Sequence, residues 1–198
     1  MRPGAPRDLA RLLAAHPVCG AGIALSIRSG LGAAPWDVFH VGLHRATGLS
    51  VGAATGATSV AAILVALAAG TRPGPGTLVN ALLIGACVDL GLALVPGAPP
   101  LPLAAAYLAA GLVLFGIGSG LYLSARLGSG PRDSLMVALA RRRRWTVGRA
   151  RAGIEIAALA AGLMLGGELG AGTVIYAVAI GPVTQWGIAL FAKETPCS

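Results

Sequence analysis

The segment from Gly20 to Leu94 is written a second time from Gly116 to Leu190, at a constant offset of 96 residues and without a gap. GLGAAPWDVFHVGLHRATGLSVG lies over RLGSGPRDSLMVALARRRRWTVG, and GPGTLVNALLIGACVDLGLAL over GAGTVIYAVAIGPVTQWGIAL. Roughly a third of the paired positions are identical, among them Gly32/Gly128, Pro35/Pro131, Asp37/Asp133, Gly76/Gly172, Thr77/Thr173 and Gly85/Gly181. A repeat of this length makes the chain two copies of one unit, so any fold must satisfy both halves at once.

The setting of those copies follows from composition. Of 198 residues, 56% are hydrophobic and 11% are charged, against about 25% charged in soluble domains. The 30 glycines suit close helix packing in a bilayer. The net charge of +8 does not call for nucleic acid, because the arginines cluster beside apolar spans, where topology explains them. Cys19, Cys87 and Cys197 form neither a C-x-x-C pair nor a metal-ligand spacing. Arg2, Arg7 and Arg11 precede an apolar stretch as in a secretory signal, but no A-x-A exit follows, so this stretch reads as an uncleaved first span.

Six spans are expected, at about 10–28, 50–70, 77–96, 102–124, 150–167 and 172–192, each near the ~20 residues that cross a bilayer core. Pro17 predicts a kink in the first. The uncharged PGAPPLP segment, 95–102, links repeat one (20–94) to repeat two (116–190) within a single membrane domain. With the N-terminus inside, 13 of the 15 Lys and Arg fall on the inner face, and only Arg28 and Arg45 fall outside. Positive-inside bias then sets both termini in the cytoplasm. Three spans per copy is an odd number, so the copies are expected to be inverted relative to one another. The expected class is an all-α polytopic protein of six transmembrane helices, two inverted three-helix repeats, each with a short interfacial or re-entrant helix.

That short helix is expected after the first span of each copy. GLGAAPWDVFHVGLH places Trp36, Phe39 and Leu43 on one helical face and Asp37, His40 and His44 on the next. Its partner is PRDSLMVALARR. Pro35-Trp36-Asp37 and Pro131-Arg132-Asp133 have the chemistry of helix starts, with Pro first and Asp in the opening turn. The functional counterpart of that structural reading is two helix N-termini aimed at one central site. Asp37, His40 and His44 also have the spacing of a weak metal site. Met136 and Ala140 stand at the His positions of the second copy, so no metal belongs to the repeated design.

Other polar groups lie at depth. Asp89 sits well inside the third span, where a carboxylate costs about 2.5–3.5 kcal/mol on insertion scales and must face protein or water. Gln185 is its counterpart, and either residue could serve only as an interhelical hydrogen bond. Glu155 lies four residues beyond Arg151, as an edge-of-membrane ion pair or as a protonatable group lining a vestibule. Gly74-x-Gly76-Thr77 and Gly170-x-Gly172-Thr173 open the last span of each copy, with the threonines as capping candidates. Asn80 follows one turn later, matched by Tyr176. No Lys-Ser/Thr follows these glycines, so they are not a phosphate loop. Gly52/Gly56, Gly116/Gly120 and Gly162/Gly166 permit close helix packing within the chain or in a homodimer. Arg141, Arg142, Arg143 and Arg144, followed by Trp145, read as a topology anchor that also suits anionic lipid. No nucleophile–base or paired-carboxylate arrangement stands out, and neither enzyme activity nor a cofactor is expected.

The order G-x-G-x-x-P-W-D, G-x-G-T, G-x-G-P-R-D-S-L-M, R-x-x-I-E and a second G-x-G-T followed by I-G-P resembles the bacterial YczE-like integral membrane proteins of the YczE/YyaS/YitT group. The match runs from about Gly20 to Leu190, and its most specific parts are Gly128 to Met136 and Arg151 to Glu155. The first copy departs from it in Ala34 and Trp36, where the second has Gly130 and Arg132. The resemblance implies a small multispan protein of the bacterial plasma membrane. The expected function is a small transporter-like carrier of a small molecule or ion, with Asp89, Gln185, Asp37, Asp133, Thr77, Thr173, Asn80 and Glu155 as candidate site residues. The alternative is a non-transporting scaffold, regulator or substrate-capture subunit of a larger complex.

Overall fold

A computed structural model describes residues 6–192; Arg2, Lys193 and Cys197, used in the reading above, lie outside the described residues. The described chain is all helical: α1 (Pro6–Arg28), α2 (Pro35–Thr47), α3 (Val51–Ala68), α4 (Pro75–Leu94), α5 (Leu101–Ser124), α6 (Pro131–Arg143), α7 (Val147–Met164) and α8 (Ala171–Ala192). Adding 96 to the first four ranges reproduces the last four to within two residues at every end. The caps repeat too. Ser50 accepts a hydrogen bond from the Ala53 N–H at 3.0 Å, and Thr146 accepts one from the Arg149 N–H at 3.2 Å, so equivalent hydroxyls cap α3 and α7. Gly70 and Gly166 take left-handed φ angles of 81° and 90° just past those helices, the C-terminal stop only glycine adopts freely.

Five helices, α1, α3, α4, α5 and α8, are long and apolar enough to cross a membrane. Their apolar side chains point outward: Leu82 is 76% exposed and Val178 75% exposed. Water would not tolerate so much uncovered aliphatic surface, and a lipid bilayer is the solvent that does. The remaining expected span, the fifth at about 150–167, corresponds to α7, whose 18 residues include Arg149, Arg151 and Glu155. Those three charges keep it out of the set picked by length and apolarity. The first span begins earlier than expected, at Pro6, and α1 runs unbroken through Pro17.

The chain forms two compact units. Among the described residues the first holds 6–34, 86–127 and 169–192, and so α1, the second half of α4, α5 and α8. Its inner surface is made by glycines on which neighbouring helices close. Ala15 and Cys19 of α1 lie against Gly118 of α5, Gly22 against Gly111 and Phe115, and Ser26 against Gly111. Residue numbers rise along α1 as they fall along α5, so the two equivalent helices are antiparallel. By contrast Gly116 meets Val183 and Gly120 meets Gly187, so α5 and α8 run parallel. Gly20 against Cys87 and Gly91 against Ala24 make α1 and the end of α4 parallel in the same way. These are the same contacts shifted by 96 residues. Leu108, Leu112 and Tyr176 form an apolar cluster in this unit, with Leu31, Ala34 and Val183 around it.

The second unit holds 35–85 and 128–168, and so α2, α3, the first half of α4, α6 and α7. Helix α2 packs on α7 and on α3, while α6 packs on α3 and on α7. Gly42 of α2 sits against Gly162 of α7, and Gly85 of α4 against Gly52 of α3. Of the six glycines singled out as packing residues, Gly52, Gly116, Gly120 and Gly162 make close helix contacts inside the chain, while Gly56 and Gly166 have only looser neighbours. Each short helix of one copy lies on a longer helix of the other, α2 on α7 and α6 on α3.

Candidate functional site

The turns that lead into α2 and α6 are built alike. In the first unit Gly32 (φ 109°) lies where an added Cβ would be 2.7 Å from the Thr173 hydroxyl; in the second, Gly128 (φ 133°) faces Thr77 at 3.0 Å. Both threonines are buried. The Thr77 hydroxyl donates to the Ser129 carbonyl, and the Thr173 hydroxyl accepts from the Gly170 N–H at 3.5 Å. Thr77 therefore pins the start of α4 to the loop before α6 rather than capping its own helix. Both hydroxyls hold loops in place, and neither is turned to open space.

Within the second unit the two short helices begin against one another. The Arg132 guanidinium lies 4.9 Å from the centre of the Trp36 ring, a cation–π stack. These two residues occupy the same position in the two copies. Trp36 packs edge-on against Phe39 at 6.3 Å, which accounts for the apolar face read from the sequence. One turn inward, Asp37 is 2% exposed and its Oδ1 has no hydrogen-bond partner. His40, 1% exposed, brings Nδ1 to 3.8 Å from that oxygen. The ring is also held by α3: Nδ1 lies 3.1 Å from Thr55 Oγ1 and Nε2 2.9 Å from Thr58 Oγ1. Burial lowers the proton affinity of His40 below that of an ordinary histidine; Asp37 opposes the shift and the Arg132 charge adds to it.

The matching place in the second copy has different chemistry. Met136, Arg151 and Ile154 stand where the first copy has His40, Thr55 and Thr58. Burial raises the Asp133 pKa, against the pull of Arg151, Arg132 and the Gly130 backbone N–H. Ser134 is buried beside it, with its hydroxyl 3.2 Å from that of Ser129.

Of the residues singled out from the sequence, Asp37 and Asp133 thus belong to one unit, with Arg132 and His40 as the neighbours that a motif reading undervalued. The signal for His40 was its place three residues after Asp37; Thr55 and Thr58 carried none, being ordinary hydroxyls in an apolar helix. The metal triad does not assemble. His44 is exposed and its Nδ1 meets the Leu49 carbonyl at 2.5 Å, because position 44 turns outward from the face that buries 37 and 40. Among the described residues no three His, Cys, Asp or Glu side chains converge as metal ligands. Asp89 is half-buried in the first unit, Gln185 is exposed on α8 and Asn80 is half-buried on α4. Glu155 pairs with Arg151 at 2.9 Å across one helical turn, in an exposed setting. An apolar groove of about 300 Å³ between α3 and α4 is lined by Val60, Ile63, Leu64, Leu78, Ala81 and Leu82, and offers nothing to a polar solute.

Comparison with known proteins agrees with the sequence resemblance. Residues 7–188 match the model of a family described as "Family of unknown function (DUF6198)". The uncharacterized membrane protein YczE of Bacillus subtilis is 35% identical over 171 residues, 84% of this chain and 79% of YczE. An uncharacterized protein of Haemophilus influenzae is 35% identical over 189 residues, covering 94% of this chain and 86% of its own length. The uncharacterized protein YyaS of B. subtilis is 33% identical over 159 residues, 78% of this chain and 79% of YyaS. No solved structure matches the chain. The chain belongs to this YczE-like family of membrane proteins.

Proposed function

We propose that this YczE-like chain crosses the bacterial plasma membrane six times, as two inverted repeats with both termini cytoplasmic, and is a small non-enzymatic carrier of a polar solute or ion. Parallel packing of α5 and α8 supports the sixth crossing. Two parallel spans need the chain to return across the membrane between them, and only α6 and α7 lie there. At about 1.5 Å per residue, the 18 residues of α7 reach about 27 Å, close to a bilayer core of about 30 Å. Antiparallel packing of α1 on α5, its own equivalent, supports the inversion.

The observation that carries the carrier reading is the meeting of the α2 and α6 starts at Trp36 and Arg132, with Asp37 and Asp133 in the opening turns. Paired helix N-termini with ionisable groups at membrane depth are what secondary transporters present to a solute. Asp89, half-buried in an apolar span, is a second and separate candidate. Thr77, Asn80 and Glu155 belong to the unit of Asp37 and Asp133 and are the positioning candidates there, while Thr173 and Gln185 belong to the unit of Asp89.

Thermal unfolding of the purified full chain in detergent, across metabolites and ions, tests this. A ligand present at 100 times its Kd stabilises the fold by about 2.7 kcal/mol. The expected result is a ligand whose shift is lost in both Arg132→Gln and Asp133→Asn, each variant remaining folded. A shift that survives both and disappears in Asp89→Asn moves the site to Asp89. No shift from any ligand with a folded protein rejects the carrier in favour of a scaffold, regulator or capture subunit. That second reading draws on the exposed run Arg141 to Arg144 and the 46% exposed Trp145, which suit anionic lipid headgroups or an acidic partner at the inner face.

A further inference from the structure

The hydroxyl protons around His40 are already committed. Thr55 Oγ1 donates to the Val51 carbonyl at 2.8 Å. Thr58 Oγ1 donates to the Ala54 and Thr55 carbonyls, both at 3.0 Å. A hydroxyl has one proton to give, so each threonine can face the imidazole only with a lone pair. Nδ1 lies on one of these oxygens and Nε2 on the other. While both hydroxyls donate to the α3 backbone, each ring nitrogen faces a lone pair, the arrangement that an imidazolium, with its two N–H groups, satisfies. The anion such a ring requires is present: Asp37 Oδ1, buried and without a hydrogen bond, lies 3.8 Å from Nδ1.

The charged groups facing the ring are Asp37 on its own helix and Arg132 on α6; α3 contributes only the two hydroxyls. Arg132 and burial oppose the extra proton, while Asp37 favours it. When the ring is neutral, one nitrogen becomes an acceptor and the threonine opposite it must turn its O–H away from the α3 backbone. Loading the proton returns that O–H to the backbone and leaves α2 joined to α3 by two N–H···O bonds and a buried charge pair.

We propose that Asp37, His40, Thr55 and Thr58 form a binding site for a single proton, held as an imidazolium–carboxylate pair, whose occupancy sets how α2 is fastened to α3. The site belongs to one copy only, since Met136, Arg151 and Ile154 fill the matching positions of the other. It is independent of the carrier reading, because it requires no solute.

The test is nuclear magnetic resonance of the full chain in lipid nanodiscs with ¹⁵N-labelled histidine. There are three histidines, and His40→Gln identifies the signal. Between about pH 4.5 and 8, His40 is expected to pass from doubly protonated to neutral, with a midpoint below that of a free histidine. Asp37→Asn is expected to lower that midpoint by about one pH unit, from loss of the opposite charge. Thr58→Val, which removes an acceptor without removing a charge, is expected to lower it by less. A His40 ring that stays neutral across the range overturns the proposal, and so does a midpoint unmoved by Asp37→Asn. Because wild type alone can give the first result, a variant that failed to fold would not rescue the idea.

Discussion

Helices α2 and α6 are the same length, start with the same Pro-x-Asp and occupy equivalent places, yet they are chemically unlike. The first buries Asp37 and His40 among threonines of α3. The second keeps Asp133 under the influence of Arg132 and Arg151 and ends in an exposed run of arginines. One copy has a cation that comes and goes with pH; the other has cations that are always present. Glycine contacts and helix caps hold the shared backbone, so the side chains in the second unit are free to differ. The repeat is thus strict in the α1–α4 and α5–α8 contacts and in the caps of α3 and α7, and asymmetric where chemistry is done.

The largest effect should come from the packing that the copies do not share. A Cβ on Gly85 would run into the Gly52 carbonyl, whereas an added Cβ on Gly181, the equivalent residue, or on Gly148, the equivalent of Gly52, meets nothing within 4 Å. Gly85→Ala should destabilise by about 1–3 kcal/mol through overpacking. Gly181→Ala should stay within about 0.5 kcal/mol of wild type. Unfolding midpoints in detergent read both, and equal losses would remove the distinction between the copies at this contact.

A smaller effect should separate the two aspartates by pH. The Asp133 pKa is raised in the fold, so the folded state holds that proton more tightly than the unfolded chain. Its stabilising contribution is present at low pH and fades as pH rises from the ordinary carboxylate range through the raised value. Asp133→Asn should flatten that part of the stability profile, measured by unfolding from about pH 4 to 7. His40 has the opposite sign. Its lowered pKa makes acidification below the ordinary histidine range destabilising, and His40→Gln should remove that loss. A profile in which both substitutions act in the same direction would contradict the contrast between the copies.

The smallest effect belongs to Arg45, which meets Glu168 at 2.6 Å and also bonds the Gly166 carbonyl. Both side chains are largely exposed, so Glu168→Gln should cost no more than about 1 kcal/mol, and less in high salt. The corresponding positions of the other copy are Arg141 and Arg72, which cannot pair. A double-mutant cycle on Arg45 and Glu168 measures this term, and a coupling well above that range would mean the pair is shielded from water.

The sequence carried the backbone well and the site poorly, for a physical reason. Helix ends depend on local chemistry: Pro35 and Pro131 marked two starts from the sequence, and the structure adds Ser50, Thr146, Gly70 and Gly166 at matching offsets. Which buried polar residues come together depends on which helices meet, and no periodicity states that. Asp89 and Gln185 looked paired because they share a position, but one is half-buried and the other exposed. His40 and His44 looked paired because four residues separate them, but the burial boundary of α2 runs between them. Arg151, assigned only to Glu155, also acts on Asp133. The charges of α7 were legible, and they are why apolarity alone selects five spans.

The Arg132–Trp36 stack has a consequence for how such a chain could arise. On a twofold relation, a residue that touches its own counterpart would, in a dimer of identical half-chains, meet a copy of itself. Two arginines there would repel, and two tryptophans would remove the Arg132 charge that acts on Asp133 and His40. A cation resting on a ring at that point needs two halves that differ, which a single chain carrying both copies supplies in fixed proportion.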